Sequence, residues 1–230
     1  MSVFRSIVFA AVLSGLLVGC FVTIAQHIAT VPLILKAEVY EQQAQHGHED
    51  EGWQPANGFE RNAYTALFNL VDWIGFALLL NGAIVLLRRP VTWREGLLWG
   101  LGGFIAFVIA PGLGLAPELP GVPAAGLLLR QLWWTATVVA TACGLGLIAF
   151  RHSAASAVAA ILLIAAPHLV GAPRLEHVET NVPEALSRQF TVAVTLTALP
   201  CWALLGALTC HFYRWFSRAA DVRPAHLPSA

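Results

Sequence analysis

Charged residues are scarce in this sequence. Asp, Glu, Lys and Arg make up 11% of the 230 residues, whereas apolar residues make up 57%. So little charge leaves too few residues for a separate water-soluble domain, and we therefore predict one integral membrane unit. A Gly-x-x-x-x-Gly-Lys-Ser/Thr loop is also absent, which excludes nucleotide hydrolysis by that route. We expect no nucleic-acid partner.

Cysteine is rare as well, and all four cysteines fall within apolar runs: Cys20, Cys143, Cys201 and Cys210. We predict small packing residues there rather than a disulfide or metal framework. The segment that ends at Cys20 resembles a lipoprotein cleavage site. However, the apolar run continues to Ala25, so the first helix is predicted to be retained.

Long apolar runs dominate what remains. Six of them cover residues 4–27, 64–87, 93–110, 132–150, 154–171 and 190–212. Each is long enough, or nearly so, to cross a hydrocarbon core of about 30 Å as a helix. The sequence thus predicts an all-α integral membrane helix bundle with six transmembrane helices. The fifth run is short and contains Pro167-His168, so five helices are the alternative.

The charges alternate between the two ends of these runs. The amino-terminal side holds Arg5, Arg88, Arg89, Arg94, Arg151, Arg214, Arg218 and Arg223, with Glu95 and Asp221. The opposite side holds Lys36, Arg61, Arg130, Arg174 and Arg188, with Glu38, Glu41, Glu49, Asp50, Glu51, Glu60, Glu118, Glu176, Glu179 and Glu184. Because basic loops stay in the cytoplasm, both termini are predicted to be cytoplasmic. With five spans the basic carboxy terminus would lie on the acidic side.

The predicted domain organisation follows from these runs. Residues 1–216 form a single transmembrane domain with an outer loop at 36–63 that is rich in histidine and acid. Residues 217–230 form a flexible cytoplasmic tail, after an interfacial anchor at Trp215 and Phe216.

Small residues recur four apart in several runs: Gly15 and Gly19, Gly96 and Gly100, and Ala142 and Gly146. Such pairs let helix backbones approach closely in lipid. We interpret them as packing within one bundle rather than as a dimer interface.

The outer loop contains the first candidate metal ligands. His46 and His48 are separated by one glycine, and Glu49 and Asp50 follow them directly. Imidazole and carboxylate ligands suit divalent cations of the first transition row, and the carboxylates concentrate cations. Nearer the membrane, Glu38 and Glu41 would share one face if the first helix continued outward. The alternative is an acidic, solvated loop whose histidines bind nothing.

A second set of candidates lies within or beside the apolar runs. Asp72 would sit about 12 Å below the outer end of its helix, where an ionisable group is costly unless it is paired or hydrated. His27 ends the first run, His168 lies near the end of the fifth, and Glu118 follows the third. We expect Asp72, His27 and His168 to approach a common outer vestibule. Structural hydrogen bonds are the alternative role for the histidines.

Two segments rich in proline and glycine interrupt the runs at residues 111–121 and 167–173. Proline removes a backbone donor, so freed carbonyl groups could line a cavity or pathway. The alternative interpretation is that both segments are tight extracellular turns.

Several motifs together resemble the CbtA family of predicted cobalt transporter subunits. They occur in order as PLILKAEVYE, HGHEDEGWQPANGFER, PGLGLAPELPG, RQLWWTATVVATACGL and APHLVGAP. The resemblance implies a bacterial inner-membrane protein associated with cobalamin biosynthesis, usually with five spans. It also implies a small partner, CbtB, with one span and a histidine-rich tail. Cobalt specificity follows from the resemblance alone, since the residues themselves indicate only a divalent cation.

The function predicted from the sequence is uptake of a divalent transition-metal cation, with cobalt(II) as the transported substrate and no cofactor. The outer loop captures the cation, and Asp72, His27 and His168 offer weaker, deeper ligands. An accessory or scaffold subunit that needs a partner for transport is the main alternative. A metal-dependent membrane enzyme is a further one, although no His-x-x-x-His or Glu-x-x-His pair is present.

Overall fold

Helices account for all the regular structure in the described part of the chain. The computed structural model describes residues 3–44, 55–87, 91–175 and 179–221. In chain order the helices are α1 (Val3–Ala29), α2 (Val31–Ala44), α3 (Phe59–Leu86), α4 (Trp93–Phe104), a π-helical turn (Ile105–Ile109), α5 (Ala110–Gly114), α6 (Leu127–Phe150), α7 (Ala154–Val170) and α8 (Glu184–Asp221). The predicted all-α fold is confirmed.

Five helical stretches of the described chain are long and apolar enough to cross a membrane. They are Val3–Ala29, Phe59–Leu86, Trp93–Gly114, Leu127–Phe150 and Glu184–Arg218. Only 22% to 39% of each apolar window is buried inside the protein, so most of its apolar surface is left for lipid. The predicted run at 154–171 forms α7, which has 17 residues and is shorter than the other five.

The chain divides into two compact units, which interrupt one another along the sequence. The first unit comprises Met1–Thr23, Gln54–Leu101 and Pro200–Ala230, and the second comprises Ile24–Trp53 and Gly102–Leu199.

In the first unit, α1 packs closely against α3. A side chain added at Gly15 would meet the backbone of Ile74, and one added at Gly19 would meet Leu70, so both glycines permit direct backbone contact. Buried amides join the same two helices: Asn81 Nδ2 donates to the carbonyl of Ile7 at 3.2 Å. Polar bonds of this kind hold helices together where water is absent.

The first unit also holds the α4 and α8 pair. Gly96 lies against the carbonyl of Gly206, and Gly100 lies against that of Trp202. Between these two contacts the residue number increases along α4 and decreases along α8, so the two helices are antiparallel. The predicted close packing at Gly15, Gly19, Gly96 and Gly100 is confirmed as intramolecular. The interpretation of Ala142 and Gly146 was wrong for Gly146, which has open space beside it.

In the second unit, α6 and α7 form an antiparallel hairpin joined by the short turn at residues 151–153. Gly144 near the end of α6 contacts Ala160 and Ile164, and Trp133 near its beginning contacts Pro167. Ser153 caps α7 through a reciprocal bond with Ser156, in which the Ser156 backbone N–H donates to Ser153 Oγ at 3.1 Å. Gly144, and not Gly146, is therefore the small residue that brings these helices together.

A short helix covers the end of the second unit. α2 begins two residues after α1 ends, and its Ala37 packs with Leu119, Val182 and Phe190 in a small apolar cluster that we call the α2 cluster. Part of the predicted 36–63 loop is therefore helical, because Ala37 and its apolar neighbours bury one face of α2. The same holds for residues 59–63, which begin α3, and for residues 217–221 of the predicted tail, which belong to α8.

The four cysteines are free thiols in helices. Cys201 and Cys210 are buried, as expected for packing residues, whereas Cys20 and Cys143 are exposed on their helices. The packing interpretation is thus confirmed for two of the four.

Candidate functional site

Asp72 is a carboxylate in the middle of helix α3, far from the charged residues Glu60 and Arg61 of its first turn. It lies in a stretch of apolar residues, half-buried, and it makes no hydrogen bond or ion pair with another residue in the described ranges. An open groove of about 890 Å³ runs beside it along α3, lined also by Gly75, Leu79 and Gly82. A carboxylate at this depth without a protein partner needs water, a cation or a proton to remain there.

The aromatic residues next to Asp72 fix the orientation of its helix. Trp73 and Phe76 both pack on Trp202 of α8, with ring centroids 5.6 and 4.9 Å away. Trp73 is buried, so the α3 face that bears it is turned inward within the first unit. Asp72 precedes Trp73 and is therefore held at the border between that packed face and the open groove.

The first helix ends at Ala29, and Glu38 and Glu41 lie on the separate helix α2, where both are partly buried. Glu41 packs against Gly121, whose positive φ of 79° suits glycine and whose Cα faces the Glu41 side chain. The α2 cluster thereby brings Glu41 to the proline-glycine segment that also carries Glu118.

Glu118 is held by a cation of the protein itself. Its Oε2 accepts a hydrogen bond from Arg130 Nη2 at 2.6 Å, and both side chains are about one-third exposed. This ion pair joins the proline-glycine segment to the beginning of α6. Glu118 can serve as a metal ligand only through its second oxygen or by releasing Arg130.

His168 and His27 both belong to the second unit. The His168 ring lies edge-on to the Trp133 ring, with centroids 5.7 Å apart, and is half-buried. His27 lies near the end of α1 and is exposed. Asp72 belongs to the first unit, so the convergence of all three on one vestibule stays a prediction.

Carbonyl groups of the proline-glycine segments accept hydrogen bonds from protein side chains. Trp133 Nε1 donates to Pro167 O at 3.0 Å, and Thr180 Oγ1 donates to Gly121 O at 2.8 Å. Arg174 Nη2 donates to Gly114 O at 3.3 Å. Each segment is thus held by at least one side-chain donor. These three carbonyl groups are therefore used in structural hydrogen bonds, which agrees with the alternative that the segments are turns.

The capture residues predicted in the outer loop, His46, His48, Glu49 and Asp50, lie outside the described residues. Within the described ranges, no group of three or more His, Cys, Asp or Glu side chains is placed to hold a metal ion.

Two features of this region were missed by the sequence analysis. The third span contains a π-helical turn at Ile105–Ile109, which ends two residues before Pro111, and such turns often occur at functional sites. Trp133 is the second, since it links α6 to both proline-glycine segments: it bonds to Pro167 and its ring fills the space beside Gly114. The nearby Pro111 and Pro167 were visible signals, but neither identifies the partner residue.

Five long apolar helices, with most of their apolar surface unburied, indicate an all-helical, multi-pass membrane protein. The chain belongs to the CbtA family, described as a probable cobalt transporter subunit, whose model matches residues 4–214. No curated protein and no solved structure matched the chain. The resemblance inferred from its motifs is confirmed.

Proposed function

We propose that this chain takes up a divalent transition-metal cation, cobalt(II), across the bacterial inner membrane in support of cobalamin biosynthesis. The main support for this proposal is the family match over residues 4–214, which covers every predicted span. The five long apolar helices support a role within the membrane. The proposal gives the chain no catalytic activity.

The first proposed step is capture. His46 and His48, with Glu49 and Asp50, bind and partly dehydrate the cation outside the membrane. Glu38 and Glu41 lie earlier in the chain on α2, where their carboxylates extend the same negative field towards the membrane.

Passage is the second step, and Asp72 is its central residue. Its carboxylate has no protein partner in the described ranges and borders an open groove, so it is available to a cation. His27 and His168 supply further weak ligands, and several modest sites allow release as well as entry. Inward movement of a dication is favoured by about 4.6 kcal/mol per 100 mV of membrane potential, twice the value for one charge.

We also propose six spans with both termini in the cytoplasm. Helix α7 returns along α6 from Gly144 to Trp133, as their contacts with α7 indicate. Its 17 residues give a length of about 26 Å, close to the thickness of the hydrocarbon core. The alternation of arginine and carboxylates supports the same number of crossings.

A second candidate function is that of an accessory subunit that binds the metal but needs a partner for flux. The family description as a subunit favours a complex with another protein. The partner we propose is a small CbtB-like protein with one span and a histidine-rich tail. The groove beside Asp72 is then completed by this partner rather than by the chain alone.

Cellular cobalt accumulation tests the capture step. We expect the double variant His46→Ala/His48→Ala to need more cobalt for half-maximal uptake while its maximal rate stays largely intact, because excess metal compensates for weakened capture. The matched control is His152→Ala, which removes a histidine from the opposite predicted side. An uptake curve of the double variant that coincides with that of the unaltered protein would mean that the loop histidines bind nothing relevant.

A further inference from the structure

A basic and aromatic pocket lies in the first unit where two spans end. It has a volume of about 410 Å³ and is lined by Trp93 at the start of α4 and by His211, Arg214, Trp215 and Arg218 near the end of α8. The α8 residues are spaced by three, one and three positions, so they form one face of the helix. The pocket is thus built by two helices rather than by a single one.

The packing of α4 and α8 explains why the space is open. The helices touch at Gly96 and Gly206, where no side chains separate them. Antiparallel continuation of this contact brings the start of α4 beside residues 209 to 213 of α8. Helix α8 then extends beyond the start of α4 as far as Asp221, so Arg214 and Arg218 line an open space whose α4 side is bounded by Trp93.

The charges of this pocket favour an anion. Neither Arg214 nor Arg218 makes an ion pair with any side chain that the structure describes, a set that ends at Arg218 in this helix. The acidic residue at the start of α4 is Glu95, whose Oε2 accepts hydrogen bonds from the backbone N–H of Thr92 at 2.6 Å and from its hydroxyl at 3.0 Å. Glu95 is therefore bound into a helix cap. Two guanidinium groups with fixed donor geometry match the oxygens of a phosphate.

The aromatic residues place this anion at a membrane surface. Trp93 and Trp215 are about half exposed, and Trp215 stacks on Phe216, which in turn contacts Phe9 of α1. The span that contains α4 begins at Trp93, and the span in α8 ends at Arg218. Tryptophans at such positions sit at the level of the lipid headgroups.

We propose that this pocket binds the phosphate of an anionic phospholipid headgroup, with the acyl chains lying along the apolar surface of α4 and α8. A free phosphate ion offers the same oxygens but no apolar part. Basic pockets between helices on the cytoplasmic side bind such headgroups, and the leaflet there is negatively charged. The bound lipid would join the start of α4 to the end of α8. This site is independent of metal transport.

Lipid retention by the purified full chain tests the proposal. We would measure retained lipid by native mass spectrometry after reconstitution with equal amounts of phosphatidylglycerol and phosphatidylcholine. We expect preferential retention of phosphatidylglycerol and its loss in Arg214→Gln/Arg218→Gln. Each basic residue near an anionic surface contributes about fivefold in affinity, so the double variant should bind about 25-fold more weakly.

The matched control is Arg151→Gln/Arg188→Gln, which removes the same charge elsewhere and should retain the lipid. Equal retention of both lipids, or undiminished retention by the pocket variant, would contradict the proposal. Competition by millimolar inorganic phosphate would contradict the commitment to lipid and indicate a soluble anion instead. Should the pocket variant not fold, a photoactivatable phosphatidylglycerol on the unaltered protein still decides the matter: crosslinks at Trp93 and Trp215 support the site, and crosslinks elsewhere overturn it.

Discussion

Asp72 is a carboxylate inside an apolar helix, where burying its charge costs free energy that no described side chain offsets. It lies within the α3 span beside an open groove and has no hydrogen-bond or ion-pair partner in the described ranges. A merely structural carboxylate is normally paired at such depth. The groove therefore gives a physical reason for the functional role that depth alone suggested.

Replacing Asp72 with asparagine separates charge from shape. We expect Asp72→Asn to insert normally and to lose most cobalt uptake at every metal concentration, because the amide keeps the volume but not the charge. Uptake is measured per amount of folded protein in the membrane. Leu79→Ala, which alters the same groove without changing its charge, is the control, and Asp72→Glu asks whether a charge alone suffices. Near-normal uptake by Asp72→Asn would exclude an essential role and point to His27 and His168.

For individual residues, the sequence predicts which residue types could bind a cation and how deep each lies in its helix, but it does not predict their bonding partners. The apolar run around Asp72 fixes its depth at 1.5 Å per residue. In contrast, the Glu118 to Arg130 ion pair and the Trp133 to Pro167 hydrogen bond join residues 12 and 34 positions apart. Nothing in local spacing selects these partners, because the fold of an irregular segment brings them together.

At the scale of elements, glycines determine which helices pair. Gly100 lies against the carbonyl of Trp202, whereas Gly102, two residues later on nearly the opposite face of the same helix, has open space beside it. We expect Gly100→Ala to destabilise the protein by about 1 to 3 kcal/mol, because an extra methyl group must push the two backbones apart. Gly102→Ala should be neutral or slightly stabilising, since alanine favours helix.

The measurement is unfolding of the detergent-solubilised protein, followed by loss of helical signal. The comparison between the two alanine variants removes the shared effect of changing glycine to alanine. Equal stability of both variants would contradict the assigned contact between α4 and α8.

Apolar length and periodicity predict the existence of helices much better than their ends. Each of the six runs is helical to within one residue of its end. In contrast, α2 was read as part of a loop because its polar residues hide the short apolar face around Ala37. That face is stabilised by tertiary contact with Leu119 and Val182, which a local pattern does not contain. The small-residue pattern likewise marked Gly146 instead of Gly144, because the position of α7 decides which face of α6 is packed.

At the scale of the whole molecule, the number of crossings decides the topology. We expect single-cysteine reporters at His48 and Glu179 to be labelled from outside, and reporters at Arg89, His152 and Ala225 to require permeabilised membranes. The background protein has its four cysteines replaced, since all are free thiols. The physical reason is the retention of arginine-rich segments in the cytoplasm. External labelling of Ala225 together with protection of Glu179 would contradict six spans and favour five.

Transport by the purified chain is the central claim. Its most direct test is cobalt flux into proteoliposomes under an inside-negative potential, detected by an entrapped metal indicator, with and without the small CbtB-like partner. The account predicts cobalt entry above that of protein-free vesicles, greater at more negative potential because a dication moves inward down the field. If the folded chain gives no cobalt flux above that of protein-free vesicles, either alone or together with the partner, the account is contradicted.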